Sequence, residues 1–162
     1  MKNQSETPEE GSSQFRFIAD EHLGRLARYL RLCGFDTVFA DSLADRKIID
    51  IAISENRIIL SRDKVLMSDK KVARGCRIMS ERPVIQLSEV IDRYGLREYF
   101  RPFSRCTNCN GLLALVNGDE IIDSLPERTR DFYTHFMRCG TCGKIYWEGS
   151  HYNRMKKFIN DL

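Results

Sequence analysis

The chain of 162 residues is 42% hydrophobic and 30% charged, which gives room for one ordinary core plus a small appendage. Its 26 basic and 23 acidic residues leave a formal charge of only +3, so the totals alone do not mark a nucleic-acid binder. No apolar run approaches the ~20 residues that cross a bilayer, and the opening MKNQSETPEEGSSQ is polar, so a disordered tail over 1–14 and a cytoplasmic protein with no membrane partner are expected.

In chain order, FRFIA (15–19) predicts a buried strand that stops on Asp20 and Glu21. Leu23, Leu26, Ala27, Leu30 and Cys33 then recur at helical spacing, with Gly34 closing the helix. DTVFA (36–40) predicts a second strand ending at Asp41, and Asp45 an N-cap for a helix running to about Glu55. RIILS (57–61) predicts a third strand just ahead of Asp63. CRIM (76–79) and VIQL (84–87) predict further short strands, with Ser88 capping a helix that ends near Tyr94-Gly95. Short apolar strands alternating with helices predict an α/β domain over 15–96, built on a parallel sheet flanked by helices. Residues 22–82 hold 13 Lys/Arg against 8 Asp/Glu, a mildly basic surface.

Around 96–103 the composition changes, which predicts a second module over 97–162. LLALV, an Asn117-Gly118 turn and KIYWE predict a hairpin-like β unit, and NRMKKFINDL a C-terminal amphipathic helix. Two CxxC pairs, Cys106/Cys109 and Cys139/Cys142, stand 29 residues apart. Each pair wraps one edge of a tetrahedron, and together they complete the four-thiolate shell of a structural Zn²⁺. The separation exceeds that of a compact ribbon and predicts an insertion at SLPERTRDFYTHF. His135 and His151 are spare, because four thiolates fill the shell. Cys33 and Cys76 fall on predicted core positions.

Three predicted strands end on or beside Asp20, Asp41 and Asp63, with Asp45 just beyond the second. Ligands of parallel α/β sheets gather at that end of the strands. Capping explains any one of these acids. Several at the same rim instead suggest an oxygen-only site for Mg²⁺ or Mn²⁺, able to acidify a water for attack on phosphorus. Arg25, Arg28 and Arg31 behind Asp20 form either a solvated helix face or a set of phosphate donors.

The stretches DEHLGRLARYLRLCGFDT (20–37), RIILSRD (57–63), FSRCTNCNG (103–111) and CGKIYWEGSH (142–151) together resemble the Mut-seven carboxy-terminal RNase domain family, a PIN-like nuclease fold followed by a zinc ribbon. The resemblance implies RNA hydrolysis with Mg²⁺ or Mn²⁺. It carries the family's acids onto Asp20, Asp45 and Asp63, with Asp41 an added candidate and Ser61 where Thr is common. Glu81 is the only nearby option for a further acid. It also implies a ribbon that meets nucleic acid, with Arg25, Arg28 and Lys64 on phosphates and Tyr146 the better stacking candidate beside Trp147 and Tyr152. The rival is a non-catalytic RNA- or ribosome-associated adaptor in which the acids only cap helices; self-association is also open.

Overall fold

The computed structural model describes residues 14–125, 129 and 132–162. Residues 1–13 of the predicted tail and part of the predicted insertion therefore lie outside the described residues. The first half alternates β1 (Arg16–Asp20), a 3-10 turn (Glu21–Leu23), α1 (Gly24–Leu32), β2 (Asp36–Ala40), α2 (Asp45–Ser54), β3 (Ile58–Ser61), α3 (Lys64–Met67), β4 (Gly75–Arg77) and α4 (Pro83–Tyr94). The four strands form one parallel sheet in the order β2-β1-β3-β4.

Strand alternation divides the core between the two faces of this sheet. Phe17, Ala19, Ile58 and Leu60 point to one face, where they pack with Leu26 and Leu30 of α1 and Leu87 and Ile91 of α4. Ile18 and Ile59 point to the other, against Ile48, Ile49 and Ala52 of α2 and Leu66 of α3. Both faces are covered, which is why the strands read as short continuous apolar runs. The chain leaves β1 for β2 on one side and then returns past it to β3. This reversal makes a switch point beyond the carboxyl ends of β1 and β3, the place where ligands of such sheets gather.

The expected parallel α/β layer is present, with two local corrections. Residues 84–87 are helix, not strand, and Ser88 lies mid-helix with its hydroxyl on the Val84 carbonyl. Pro83 begins α4 at its first turn, where its missing N–H costs nothing. Leu87, Val90 and Ile91 then bury one stripe of it. Asp45 is also not an N-cap: Ala44 holds that place, and Asp45 is the first residue of α2.

After a 3-10 segment (Leu96–Tyr99), residues 101–104 run along the end of α1, where Arg101 and Phe103 donate to the Cys33 and Leu32 carbonyls. A three-stranded antiparallel sheet follows in the order β5 (Leu113–Val116), β6 (Phe136–Cys139), β7 (Ile145–Trp147), and α5 (Ser150–Asn160) ends the chain. Asn117-Gly118 is not a hairpin turn. Asn117 caps a 3-10 segment (Gly118–Ser124), and the partner strand begins only at Phe136. No helix among the described residues is long and apolar enough to cross a membrane.

Candidate active site

β1 ends on Asp20, and the register that pairs Ala19 with Leu60 carries Asp20 alongside Ser61 at the tips of the two strands. Asp20 is 5% exposed and both of its carboxylate oxygens are engaged. Oδ1 accepts the His22 N–H at 3.0 Å, capping the turn after β1, and Oδ2 accepts a short hydrogen bond from the Ser61 hydroxyl. Ser61 Oγ in turn accepts the Asp63 N–H at 2.9 Å. Asp63 is the N-cap of α3, with Oδ1 accepting the Val65 N–H at 2.6 Å. One chain of hydrogen bonds therefore links Asp20, Ser61 and Asp63 at the switch point.

The other predicted acids stand apart from this chain. Asp41 and Asp45 are exposed on and after the loop that follows β2, and Asp41 meets the Ser42 hydroxyl at 3.4 Å. Among the described residues no three carboxylates bring ligand oxygens within 4.8 Å of one another. Glu81 pairs with Arg62 at 2.7 Å on an exposed surface and takes no part. The rim offers mainly oxygen donors, with the His22 imidazole Nδ1 3.8 Å from Asp20 Oδ1, a set suited to a hard ion that keeps several waters and needs just one or two direct carboxylates.

Of the predicted cationic residues, Arg25, Arg28 and Lys64 are exposed, with no side-chain hydrogen bond or ion pair among the described residues. Arg31 differs. It is buried, its Nε donates to the Thr37 carbonyl at 2.9 Å, and its Nη1 donates to the Thr107 and Asn108 carbonyls at 3.2 and 2.9 Å. It is a strut between α1 and the first cysteine knuckle rather than a phosphate donor.

The four sulfurs of Cys106, Cys109, Cys139 and Cys142 lie within 4.8 Å of one another. Cys106–Cys142 and Cys109–Cys139 are 3.7 and 3.4 Å apart, close to the ~3.8 Å edge of a tetrahedron with 2.3 Å Zn–S bonds. The donor set therefore fits a structural metal such as zinc. Burial opposes ionisation of Cys106, but the Tyr146 hydroxyl at 3.0 Å and the knuckle N–H groups outweigh it and hold this thiol at about 6. Cys109 is pushed up to about 12 by burial and by its three sulfur neighbours. A cation is what gathers all four as thiolates. Cys33 and Cys76 are core thiols, as expected, and burial raises Cys33 to about 12.

Tyr146 thus has its hydroxyl on a metal-ligating sulfur, with the Lys144 ammonium 5.5 Å from its ring. Trp147 packs against Ile121, Leu125 and Phe136, in line with its expected core position.

Sequence reasoning missed the joint between the two sheets. Asn110, at φ 73 just after Cys109, donates to Asp36 Oδ1 at 2.8 Å and accepts the Thr37 N–H at 3.0 Å. Asp36 also receives Arg57 at 2.7 Å and Arg16 at 3.1 Å, and Arg57 reaches Glu55 at 2.7 Å. Burial alone would raise the Asp36 carboxyl, but Arg57, Asn110 and nearby Arg105 bring it down to about 2. The cysteine centre is therefore fastened to the amino ends of the strands, at the pole opposite Asp20. The asparagine of the CNG knuckle was the only signal in the sequence.

No curated protein and no solved structure matches the chain. The Mut7-C RNAse domain profile matches residues 15–159, nearly the whole chain. With its covered parallel sheet, its hydrogen-bonded acids at the switch point and its four-cysteine centre, the chain belongs to the Mut7-C RNAse domain family.

Proposed function

We propose that the protein is a metal-dependent endoribonuclease, with a nuclease domain over 15–96 and a zinc-ribbon module over 97–162. The observation that carries this reading is the Asp20–Ser61–Asp63 hydrogen-bond chain at the sheet's switch point. Helix capping accounts for the Asp20 and Asp63 carboxylates separately, but not for the buried hydroxyl that joins the Asp20 carboxylate to the Asp63 backbone N–H.

Asp20 and Asp63 would hold Mg²⁺ or Mn²⁺, with Asp45 and Asp41 on the adjoining loop completing the acidic rim. Bound there, the ion supplies an acidified water and offsets charge on the phosphate. The Ser61 hydroxyl fixes the orientation of the Asp20 carboxylate. Arg25, Arg28 and Lys64 carry spare charge for RNA phosphates, contacts that position a strand without reading its sequence. The ribbon's zinc is structural, and RNA is the partner.

The test is cleavage of a labelled single-stranded RNA in Mn²⁺ by wild type and by Asp20→Asn purified identically. The expected result is a loss of at least about 100-fold in the variant, with RNA affinity unchanged. Equal cleavage by both would overturn the reading. One observation favours the adaptor alternative, namely that no three carboxylates gather among the described residues. In that case Asp63→Asn would alter nothing, while Cys109→Ser would abolish RNA binding.

A further inference from the structure

Beyond Arg28 the surface opens into a groove of about 750 Å³ bounded by α1, the first knuckle, the three-stranded sheet and α5. Its size falls within the range of clefts that enclose organic ligands. On one wall the rings of Phe103 and Tyr152 lie 4.2 Å apart and 31° from parallel. Phe103 holds φ at 61°, a left-handed conformation that bulky residues keep only where their surroundings over-determine it. Its N–H is pinned to the Leu32 carbonyl at 3.1 Å, and the residue lines the groove. Tyr146 and Trp147 are also among its lining residues. Arg28 and Lys144 supply positive charge, against Glu148 as the one acid among the lining residues; Arg105 also lines the groove, but its guanidinium is bonded to the Asn110 carbonyl beside Asp36.

Flat apolar faces beside an excess of cations are complementary to a nucleobase joined to phosphate. A duplex keeps its bases within the stack and cannot offer those faces. α1 runs from the carboxylate rim toward this groove. α1 begins at Gly24, directly after the turn that Asp20 caps, and carries Arg25 and then Arg28 on its exposed side. From Arg25 to Leu32 it advances about 10 Å, so its cations form a track from rim to groove.

We propose that this groove is a base-binding subsite for a single-stranded stretch of RNA, with the Phe103–Tyr152 pair as stacking platform and Arg28 as the phosphate contact leading to the rim. The identity of the strand rests on the nuclease reading, whereas the groove's preference for bases does not.

Fluorescence anisotropy on the full chain, without divalent ion, tests this with labelled oligouridylate of about 16 nucleotides, the upper end of known single-strand site sizes, and with an abasic strand of equal length and charge. Wild type is expected to bind oligouridylate about 5- to 150-fold more tightly than the abasic strand, as one stacked base predicts. Tyr152→Ala removes that preference and keeps the abasic affinity, which a misfolded variant would lose as well; Tyr152→Phe restores the preference. Arg28→Ala weakens both ligands in equal proportion.

Trp147, the single tryptophan of the chain, gives a readout that needs no variant. Its emission should change on saturation with oligouridylate and not with the abasic strand. Equal affinity for the two strands, equal affinity for a duplex, or silent Trp147 emission at saturation would each overturn the groove assignment. The two readings fail separately. Asp20-dependent cleavage without a base preference sinks only the groove, and a base preference without cleavage sinks only the hydrolysis.

Discussion

Ser61 is the residue on which the rim geometry turns. It is fully buried between two acids, donating to Asp20 and accepting from the Asp63 backbone. A hydroxyl that both donates and accepts fixes the Asp20 carboxylate in one rotation, as outer-shell partners do for metal ligands. Ser61→Ala leaves that oxygen without its donor, and an expected loss of about 10- to 100-fold should fall on Mn²⁺ affinity and turnover together. Ser61→Thr keeps the hydroxyl and should restore most of both. A Mn²⁺ titration of cleavage rate checks the pair, and an alanine variant with wild-type Mn²⁺ dependence would show that Ser61 merely fills space.

At the scale of elements, the join between α1 and β2 is the tightest constraint. Gly34 sits at φ +100, and a Cβ there would run into the Arg101 backbone carbonyl, which cannot step aside because Arg101 N–H is bonded to Cys33 O at 2.8 Å. Gly34→Ala combines a forbidden backbone region with a backbone clash, so a loss of at least about 2 kcal/mol is expected, read as a lower urea midpoint at unchanged slope. This glycine was legible because it ended an apolar helical stripe. The first three strand tips were legible for a similar reason, since two apolar runs stopped on an acid and the third ended just ahead of one. Residues 84–87 misled because a four-residue stretch with three apolar residues has no period of its own, and Pro83 reads equally as a break or as a first helical turn. Arg31 shared a three-residue spacing with Arg25 and Arg28, yet only its burial against residues more than 70 positions away separates it from them. Long-range carbonyl contacts leave no periodic trace in a sequence.

Across the whole molecule, a charged joint and a cysteine centre hold one pole while the proposed chemistry occupies the other. Asp36 is at the centre of that joint, facing Arg57, Arg16, Arg105 and Asn110. Its folded carboxyl lies near 2, below the unfolded value of about 3.9. The stability it contributes is therefore complete above about pH 4 and is lost as pH falls toward the folded value. The stabilities of wild type and Asp36→Asn from urea unfolding should differ by about 2 kcal/mol at pH 7, and the gap should close as pH falls from about 4 toward about 2. A gap that stays constant with pH would mean that packing, not charge, sets the cost.

Removing the metal from the four cysteines should act at a distance of one strand length, about 13 Å from Arg16 to Asp20. The centre holds the knuckle that carries Asn110, and Asn110 holds Asp36 and Thr37, so losing the metal loosens the amino ends of the sheet and the ribbon wall of the groove. Nothing in that chain of contacts touches Asp20, Ser61 or Asp63, whose bonds lie among the carboxyl ends of β1 and β3. Cys142→Ser, which removes the most exposed ligand, should therefore lower Tm by about 5 °C or more, a scale set by the folding energy that structural zinc contributes. It should also raise KM for long single strands, while kcat at saturating RNA changes much less. Asp20→Asn should do the reverse, losing kcat with Tm and KM near wild type. Melting curves and steady-state cleavage in Mn²⁺ on the two variants give the comparison directly. A Cys142→Ser enzyme that lost kcat at unchanged KM would place the cysteine centre in the chemistry itself, and the two-pole arrangement would fail.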